Sequence, residues 1–145
     1  MDFKIDKMSL EDLISIKDIL TTEFDDFWNY EVLKSELESS NSYFFVAKNN
    51  SGEIVGFAGI KVILDEADIM NIVVKKDFRN NGIGSLLLDN LLKYAKKNNI
   101  LSIMLEVNEK NTPAILLYKK YGFEQISVRK NYYNDDDAII MNKIL

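Results

Sequence analysis

The chain has 145 residues, of which 47% are hydrophobic and 28% charged, and its formal net charge is −5. This length supports one domain with a hydrophobic core, and the composition is that of a globular protein. Cysteine and histidine are absent, which excludes disulfide scaffolds, thiolate metal sites and the commonest general base. We therefore predict a single domain, residues 1–145, with no metal centre, in which any catalysis uses carboxylates, tyrosine, lysine or backbone.

The excess of acidic residues argues against sequence-independent nucleic-acid binding, which depends on many lysine and arginine contacts to phosphates. No apolar run approaches the roughly 20 residues that span a bilayer, and the first residues lack the apolar core of a signal peptide. These observations predict a cytoplasmic protein without a membrane or a direct nucleic-acid partner. Composition carries no signal for oligomers, so a monomer is the expectation.

Hydrophobic patterns divide the first half of the chain into strands and helices without a linker or repeat. The segment Asn49–Gly52 has the composition of a hairpin turn between two strands. The predicted elements are a strand over residues 2–8, a helix that begins at Ser9 and carries Ile19, a helix over Tyr30–Ser39, and strands over Tyr43–Lys48 and Glu53–Ile63.

The second half continues the same alternation, and its acidic segment Asn131–Asp137 is predicted to be a loop. A short helix capped by Asn111 or Thr112 carries Ala114–Lys120. The other predicted elements are strands over Glu66–Val74, Leu101–Val107, Phe123–Lys130 and Ala138–Ile144, and a helix from about Gly82 to Asn98.

The turn between the strand ending at Val74 and the following helix contains Gly82 and Gly84. Unpaired N–H groups of a first helical turn, approached through glycine, form an anion site, so this turn predicts a phosphate or pyrophosphate ligand. A triphosphate loop is excluded because its lysine and serine or threonine are missing. A dinucleotide fingerprint is excluded because Leu87 stands where a third glycine is needed. A glycine-broken turn without a ligand is the alternative.

The pattern Arg79-x-x-Gly82-x-Gly84 resembles the acyl-CoA pyrophosphate signature of the GNAT superfamily of N-acetyltransferases. A second element of that superfamily is similar to Asn111, Ala114, Leu117-Tyr118 and Tyr121-Gly122-Phe123. Two signatures in the right order arise by chance far less often than either alone. The resemblance covers roughly residues 54–145. It implies an α/β (α+β) fold with a central mixed, mostly antiparallel sheet of about seven strands flanked by about four helices, and acetyl-CoA as cofactor.

Within the superfamily, the segment Arg129–Tyr133 and the strand that starts near Asp137 resemble the bacterial ribosomal-protein-alanine N-acetyltransferases (RimI type). Leu105–Val107 and Asn71–Val74 resemble them as well. This resemblance implies a protein N-terminal α-amine as acceptor, specifically the N-terminal alanine of ribosomal protein S18. The first fifty residues carry no comparable signal. Two alternatives stay open: acetylation of a lysine, polyamine or aminoglycoside, and a non-catalytic acyl-CoA sensor.

Acetyl transfer from a thioester to an amine needs a neutral nucleophile, stabilisation of an oxyanion and a proton for the departing thiolate. Glu106, at a strand end and at the family's base position, is predicted to act as base, directly or through water. Tyr118 is the predicted acid. A solvated glutamate and a core aromatic are the respective alternatives. A main-chain N–H on Ile72–Val74, turned by a bulge, is predicted to stabilise the oxyanion.

The remaining predicted site residues divide into a cofactor set and an acceptor set. Asn111 could instead serve only as a helix cap, and the acceptor tyrosines could be a hairpin tip with one buried ring. Asp135–Asp137 is expected to attract a cationic acceptor. The cofactor set is Ile72, Val73 and Val74 for pantetheine, Arg79, Asn80, Asn81, Gly82, Ile83, Gly84 and Ser85 for pyrophosphate, and Asn111; the acceptor set is Asn131, Tyr132 and Tyr133.

Overall fold

A computed structural model of the chain describes residues 2–25 and 28–145. Four α-helices are present in this part of the chain: α1 (Leu10–Ser15), α2 (Tyr30–Leu37), α3 (Ile83–Lys97) and α4 (Thr112–Lys120). The strands are β1 (Lys4–Lys7), β2 (Ser42–Lys48), β3 (Ile54–Ile63), β4 (Glu66–Val74), β5 (Ser102–Asn108), β6 (Glu124–Tyr133) and β7 (Asp136–Ile144).

The seven strands form one sheet in the order β1-β2-β3-β4-β5-β7-β6. Strands β4 and β5 pair in parallel, and the other neighbours pair antiparallel. This arrangement confirms the predicted fold class. In the described residues, no helix has the length and apolar character needed to cross a membrane.

The helix predicted from Ser9 to Ile19 is shorter than expected. It begins as predicted, because the Asp12 N–H donates to Ser9 Oγ over 3.1 Å and the Ser9 N–H donates to Asp12 Oδ2 over 2.9 Å. After Ser15 the chain continues as a 3₁₀ turn, Lys17–Ile19, and a π-helical segment, Leu20–Phe24. Buried Leu13, Ile16, Leu20 and Phe24 all face one core, and the changes in helical pitch keep them there.

The predicted acidic loop over Asn131–Asp137 is wrong, because β6 continues to Tyr133 and β7 starts at Asp136. The pairing of the two strands shifts register between Arg129 and Tyr133. Asn131, with φ of 53°, donates its N–H to Asp137 Oδ1 over 2.9 Å. This hydrogen bond holds the hairpin together across the irregularity, so only a tight turn remains. By contrast, the predicted turn at Asn49 is confirmed by N–H donors of Ser51 and Glu53 to its Oδ1.

A β-bulge interrupts the pairing of β3 with β4. Gly59 pairs with Asn71 and Ile60 pairs with Ile69, which leaves Met70 as the extra residue. Consequently Ile69 and Ile72 pack on the α3 side of the sheet, whereas Met70 packs on the α1 and α2 side. The bulge therefore lies before the segment Ile72–Val74 in which it was predicted.

Strands β4 and β5 separate soon after they meet. Their pairing covers only Glu66–Asp68 with Ser102–Met104, and the rest of β4 has no strand partner on that edge. A crevice therefore opens between the last residues of β4 and those of β5. Ligand sites in open α/β sheets lie at such places, at the carboxyl ends of parallel strands.

Candidate functional site

A cavity of about 650 Å³ occupies the crevice between β4 and β5. Helix α4 and the hairpin of β6 and β7 form its other walls, and the segment before α2 contributes as well. Both predicted catalytic residues line this cavity, as do both tyrosines that were predicted to bind the acceptor. Its lining includes Asp25, Trp28, Asp68, Asn71, Ile72, Val73, Glu106, Asn111, Tyr118, Arg129, Tyr132, Tyr133 and Ile140.

Glu106 faces this cavity because of the alternation along β5. Leu105 and Val107 are buried on the α3 side, so the side chain between them points to the opposite face of the sheet. Its Oε1 lies 3.2 Å from Nη1 of Arg129, and the Glu106 side chain is 29% exposed. The predicted base is therefore an ion-paired carboxylate that still reaches solvent.

Tyr118 lies on the buried face of α4 and is 9% exposed. Helix α4 starts at a cap in which Asn111 Oδ1 accepts from the Ala114 N–H over 3.3 Å, and it ends before Gly122, with φ of 92°. The Tyr118 ring meets Phe123 edge-on, with centroids 5.8 Å apart. Burial, with a smaller contribution from Tyr133, raises the pKa of Tyr118 to about 12, so the phenol keeps its proton at neutral pH.

The turn before α3 has the open main chain that an anion site needs. Asn80 and Gly82 adopt left-handed conformations, with φ of 67° and 78°, and α3 begins at Ile83 without a side-chain cap. A Cβ added to Gly82 would meet nothing within 4 Å. A helix start with no side-chain cap and open space at Gly82 fits a group with several phosphate oxygens.

Arg79 has a different position from the one predicted. Its guanidinium donates to the carbonyl oxygens of Val74, over 3.2 Å, and Phe24, over 3.1 Å. Asn81 Nδ2 likewise donates to the carbonyl of Phe78 over 2.9 Å. These side chains fix the shape of the turn. The part of the turn that remains for a ligand is its main chain. Val74 and the turn Arg79–Ser85 do not line the cavity. Strand β4 nevertheless runs from the cavity towards this turn.

On the acceptor side, Tyr132 and Tyr133 line the cavity with their rings perpendicular and 4.9 Å apart. Burial raises the pKa of Tyr133 above its usual value. Asn131 does not line the cavity; its N–H bond to Asp137 gives it a structural place in the hairpin. The acidic run is also less available than predicted, because Asp136 pairs with Lys110 at 2.7 Å and Asp137 pairs with Lys130 at 3.0 Å.

Several residues that line the cavity were not predicted as site residues from the sequence, among them Asp25, Trp28, Asp68, Asn71 and Arg129. Asn71 is 8% exposed, and within the described residues neither Oδ1 nor Nδ2 has a hydrogen-bond partner. Burial of a side-chain amide without a hydrogen-bond partner costs free energy. The sequence signal for this residue was an asparagine in the middle of an apolar strand. Trp28, the single tryptophan, belongs to the region in which no motif was found.

Comparisons with known proteins agree with this geometry. Residues 13–123 match the acetyltransferase (GNAT) family. The chain is 33% identical over 143 residues to the ribosomal protein bS18-alanine N-acetyltransferase of Salmonella typhimurium, covering 88% of this chain and 95% of that protein. The crystal structure of the ribosomal-protein-S18-alanine N-acetyltransferase from Escherichia coli superimposes with a TM-score of 0.89 at 30% identity, covering 99% and 94% of the two chains.

A more distant structure shares the fold. It is a GNAT family acetyltransferase from Elizabethkingia anophelis with acetyl-CoA bound, with a TM-score of 0.76 at 24% identity, and the match covers 99% of this chain and 98% of that one.

Proposed function

Because the chain belongs to the GNAT family of N-acetyltransferases, which use acetyl-CoA, we propose that it acetylates the N-terminal alanine of ribosomal protein S18. The observation that carries this proposal is the convergence of Glu106, Tyr118 and the tyrosine pair Tyr132 and Tyr133 on one cavity. Relatives with this activity in their names match over nearly the whole chain. The proposed setting is the cytoplasm, with the enzyme acting as a monomer.

The residues present fit the coenzyme. When bound, acetyl-CoA supplies an acetyl group activated as a thioester. The free edge of β4 after Asp68 can pair with an amide-bearing chain as an added strand, which is the role proposed for Ile72, Val73 and Val74. The open main chain of Asn80–Ser85 would hold the pyrophosphate. Asn111 uses Oδ1 for its helix cap, and Nδ2 is left to donate to the coenzyme.

Glu106 is the proposed base, and its task is to accept a proton from the acceptor amine, directly or through one water. An α-amine has a reference pKa of about 7.7 to 8.0 and a lysine amine one near 10.4, so at neutral pH the neutral fraction of the α-amine is roughly a few hundredfold larger. A carboxylate therefore suffices for an α-amine. The β4 segment Ile72–Val74, which follows the bulge at Met70, is the proposed source of the oxyanion N–H.

Tyr118 is the proposed acid, and its task is to hold a proton at Oη close to the leaving sulfur. The phenol does not ionise at rest, because burial has raised its pKa to about 12. It can therefore act as a hydrogen-bond donor throughout the physiological pH range and release its proton only to a base that develops beside it.

The function is tested by mixing the enzyme with acetyl-CoA and a short peptide that copies the S18 N-terminus. We expect release of free thiol and an acetyl group on the peptide's α-amine, located by mass spectrometry. The same peptide with a blocked N-terminus is the control. Acetylation of a polyamine or aminoglycoside in place of the peptide would contradict the acceptor, and coenzyme binding without thiol release for any amine would indicate a sensor.

A further inference from the structure

Arg129 is held against the proposed base by two contacts. Its Nη1 lies 3.2 Å from Glu106 Oε1, and its guanidinium carbon lies 5.0 Å from the centroid of the Tyr132 ring. Arginine combines well with both partners, because its planar cation pairs with carboxylates and stacks on aromatic faces. All three side chains line the cavity, and the Arg129 side chain is 53% exposed, so this cation lies on the solvent-facing wall of the proposed acceptor site.

The pair joins strands that are not neighbours. β7 lies between β5 and β6, where Glu106 is opposite Ile140 and Arg129 is opposite Ala138. The Arg129 side chain therefore crosses β7 diagonally, over two strand spacings of about 4.8 Å each. Only a long side chain spans that distance, and Ala138 is small enough to lie beneath it. The contact is specific to the cavity face of this sheet.

This arrangement has a consequence for any amine that approaches the base. An amine that donates to Glu106 Oε1 lies at most roughly 6 Å from Nη1 of Arg129, given ordinary hydrogen-bond lengths. A guanidinium stays protonated at all relevant pH values. A nearby like charge disfavours the protonated amine and leaves the neutral amine unaffected. The Glu106 carboxylate, which such an amine contacts, attracts the ammonium form, so Arg129 offsets part of an attraction that an unpaired Glu106 would exert in full.

We propose that Arg129 is a specificity-determining residue that offsets the attraction of Glu106 for ammonium groups and so lowers the affinity of the site for cationic amines relative to neutral ones. The inference rests on the proposed function, because it takes an amine as acceptor and Glu106 as base. It favours α-amines over lysine side chains and polyamines, since these more basic amines are almost entirely protonated in solution. Removal of the Arg129 charge would then strengthen the binding of cationic amines.

Other charged and titratable groups surround the pair on every wall of the cavity. Burial, partly offset by Lys61, raises the pKa of Asp68 above its ordinary value, and burial raises those of Tyr118 and Tyr133. The groups that line the cavity beside the pair are Asp68 on β4, Asp25 before α2, Tyr118 on α4, and Tyr132 and Tyr133 on β6.

The experiment measures acceptor binding without turnover. Trp28 is the single tryptophan and lines the cavity, so its fluorescence reports the affinity of an S18 N-terminal peptide for the enzyme saturated with coenzyme A. Affinity is measured from about pH 6 to pH 8.5, across the reference pKa of an α-amine. A peptide with propanoyl in place of its first alanyl residue lacks the amine, and it corrects for titration of the cavity groups.

We expect Arg129→Gln to raise the affinity for the amine peptide, relative to the propanoyl peptide, by about threefold or more at pH 6, where the ammonium form predominates, and by less at pH 8.5. Spermidine, a polycation, becomes a stronger competitor in the same variant. Lys130→Gln removes the next charge on β6, one that pairs with Asp137, and keeps the affinity ratio of the unmodified enzyme.

Equal affinity ratios at pH 6 in Arg129→Gln and in the unmodified enzyme would overturn the proposal. Arg129→Met also lacks the charge, and an unchanged ratio in that variant would overturn the proposal if Arg129→Gln does not fold. Failure of both peptides to bind would instead contradict the proposed function.

Discussion

The region from β4 to the start of α3 and the wall formed by β5, β6 and β7 are the two sides of the site, and they present different kinds of group to a ligand. The first offers main chain: the free edge of β4 and the uncapped start of α3, held in shape by Arg79 and Asn81. The second offers side chains that already contact one another, such as Arg129 with Glu106 and Tyr132 with Tyr133. An invariant coenzyme can be bound by backbone alone, whereas a choice among acceptors requires side-chain chemistry.

Tyr118→Phe tests the place where the two sides meet, and it has the largest expected effect. Loss of the phenolic proton should lower kcat by about 10²-fold or more. Coenzyme affinity and folding should change little, because the ring and its packing on Phe123 are kept. Steady-state kinetics and calorimetric titration with coenzyme A measure the two quantities. An unchanged kcat would remove Tyr118 from the mechanism.

Gly82→Trp tests whether the first side binds through open main chain. A side chain at φ of 78° strains the backbone by about 1 to 2 kcal/mol, and indole would cover the first turn of α3. We expect calorimetry to show coenzyme affinity reduced by about tenfold or more. Gly52→Trp is a matched control, because Gly52 has φ of 80° and equally open surroundings in the β2–β3 hairpin. Equal affinities in the two variants would contradict the assignment of the turn.

Asp137→Asn tests the second side and has the smallest expected effect. The hydrogen bond from the Asn131 N–H, and then Lys130, hold the pKa of Asp137 below its usual value of 3.8. Its stabilisation of the hairpin is thus present above that value and is lost as pH falls below it. Protection of the Asn131 amide, taken as the intrinsic exchange rate at each pH divided by the observed rate, should be high at neutral pH and lower below pH 3.8, whereas in Asp137→Asn it should be low at both. Asp135→Asn serves as control, and high protection in Asp137→Asn would contradict this role.

The sequence predicted best the features that depend on local pattern. The bounds of β4, Glu66–Val74, are confirmed, as is the cap at Asn111, because apolar periodicity and capping involve residues close in the chain. The turn at Gly82 was found for the same reason. The hydrogen bond of the Arg79 side chain to the Phe24 carbonyl was not predicted, because the two residues lie 55 positions apart in the chain.

The features that were missed depend on contacts between distant segments. The pairing of Arg129 with Glu106 requires β7 to lie between β5 and β6. The sequences of β5 and β6 do not indicate this strand order. The bulge occurs beside Gly59, which packs closely on the Phe44 ring of β2, where a Cβ would lie 2.4 Å away. The extended hairpin depends on the Asp137 carboxylate, whose partners a count of acidic residues does not reveal.

The short pairing of β4 with β5 also bears on thermal stability. Three residue pairs join the two halves of the sheet along that ladder. A ligand that contacts both strands must therefore dissociate before either half unfolds. A coenzyme concentration 100 times its dissociation constant then adds about 2.7 kcal/mol to the free energy of unfolding. Saturated enzyme should consequently melt as one cooperative unit at a higher temperature than the empty protein.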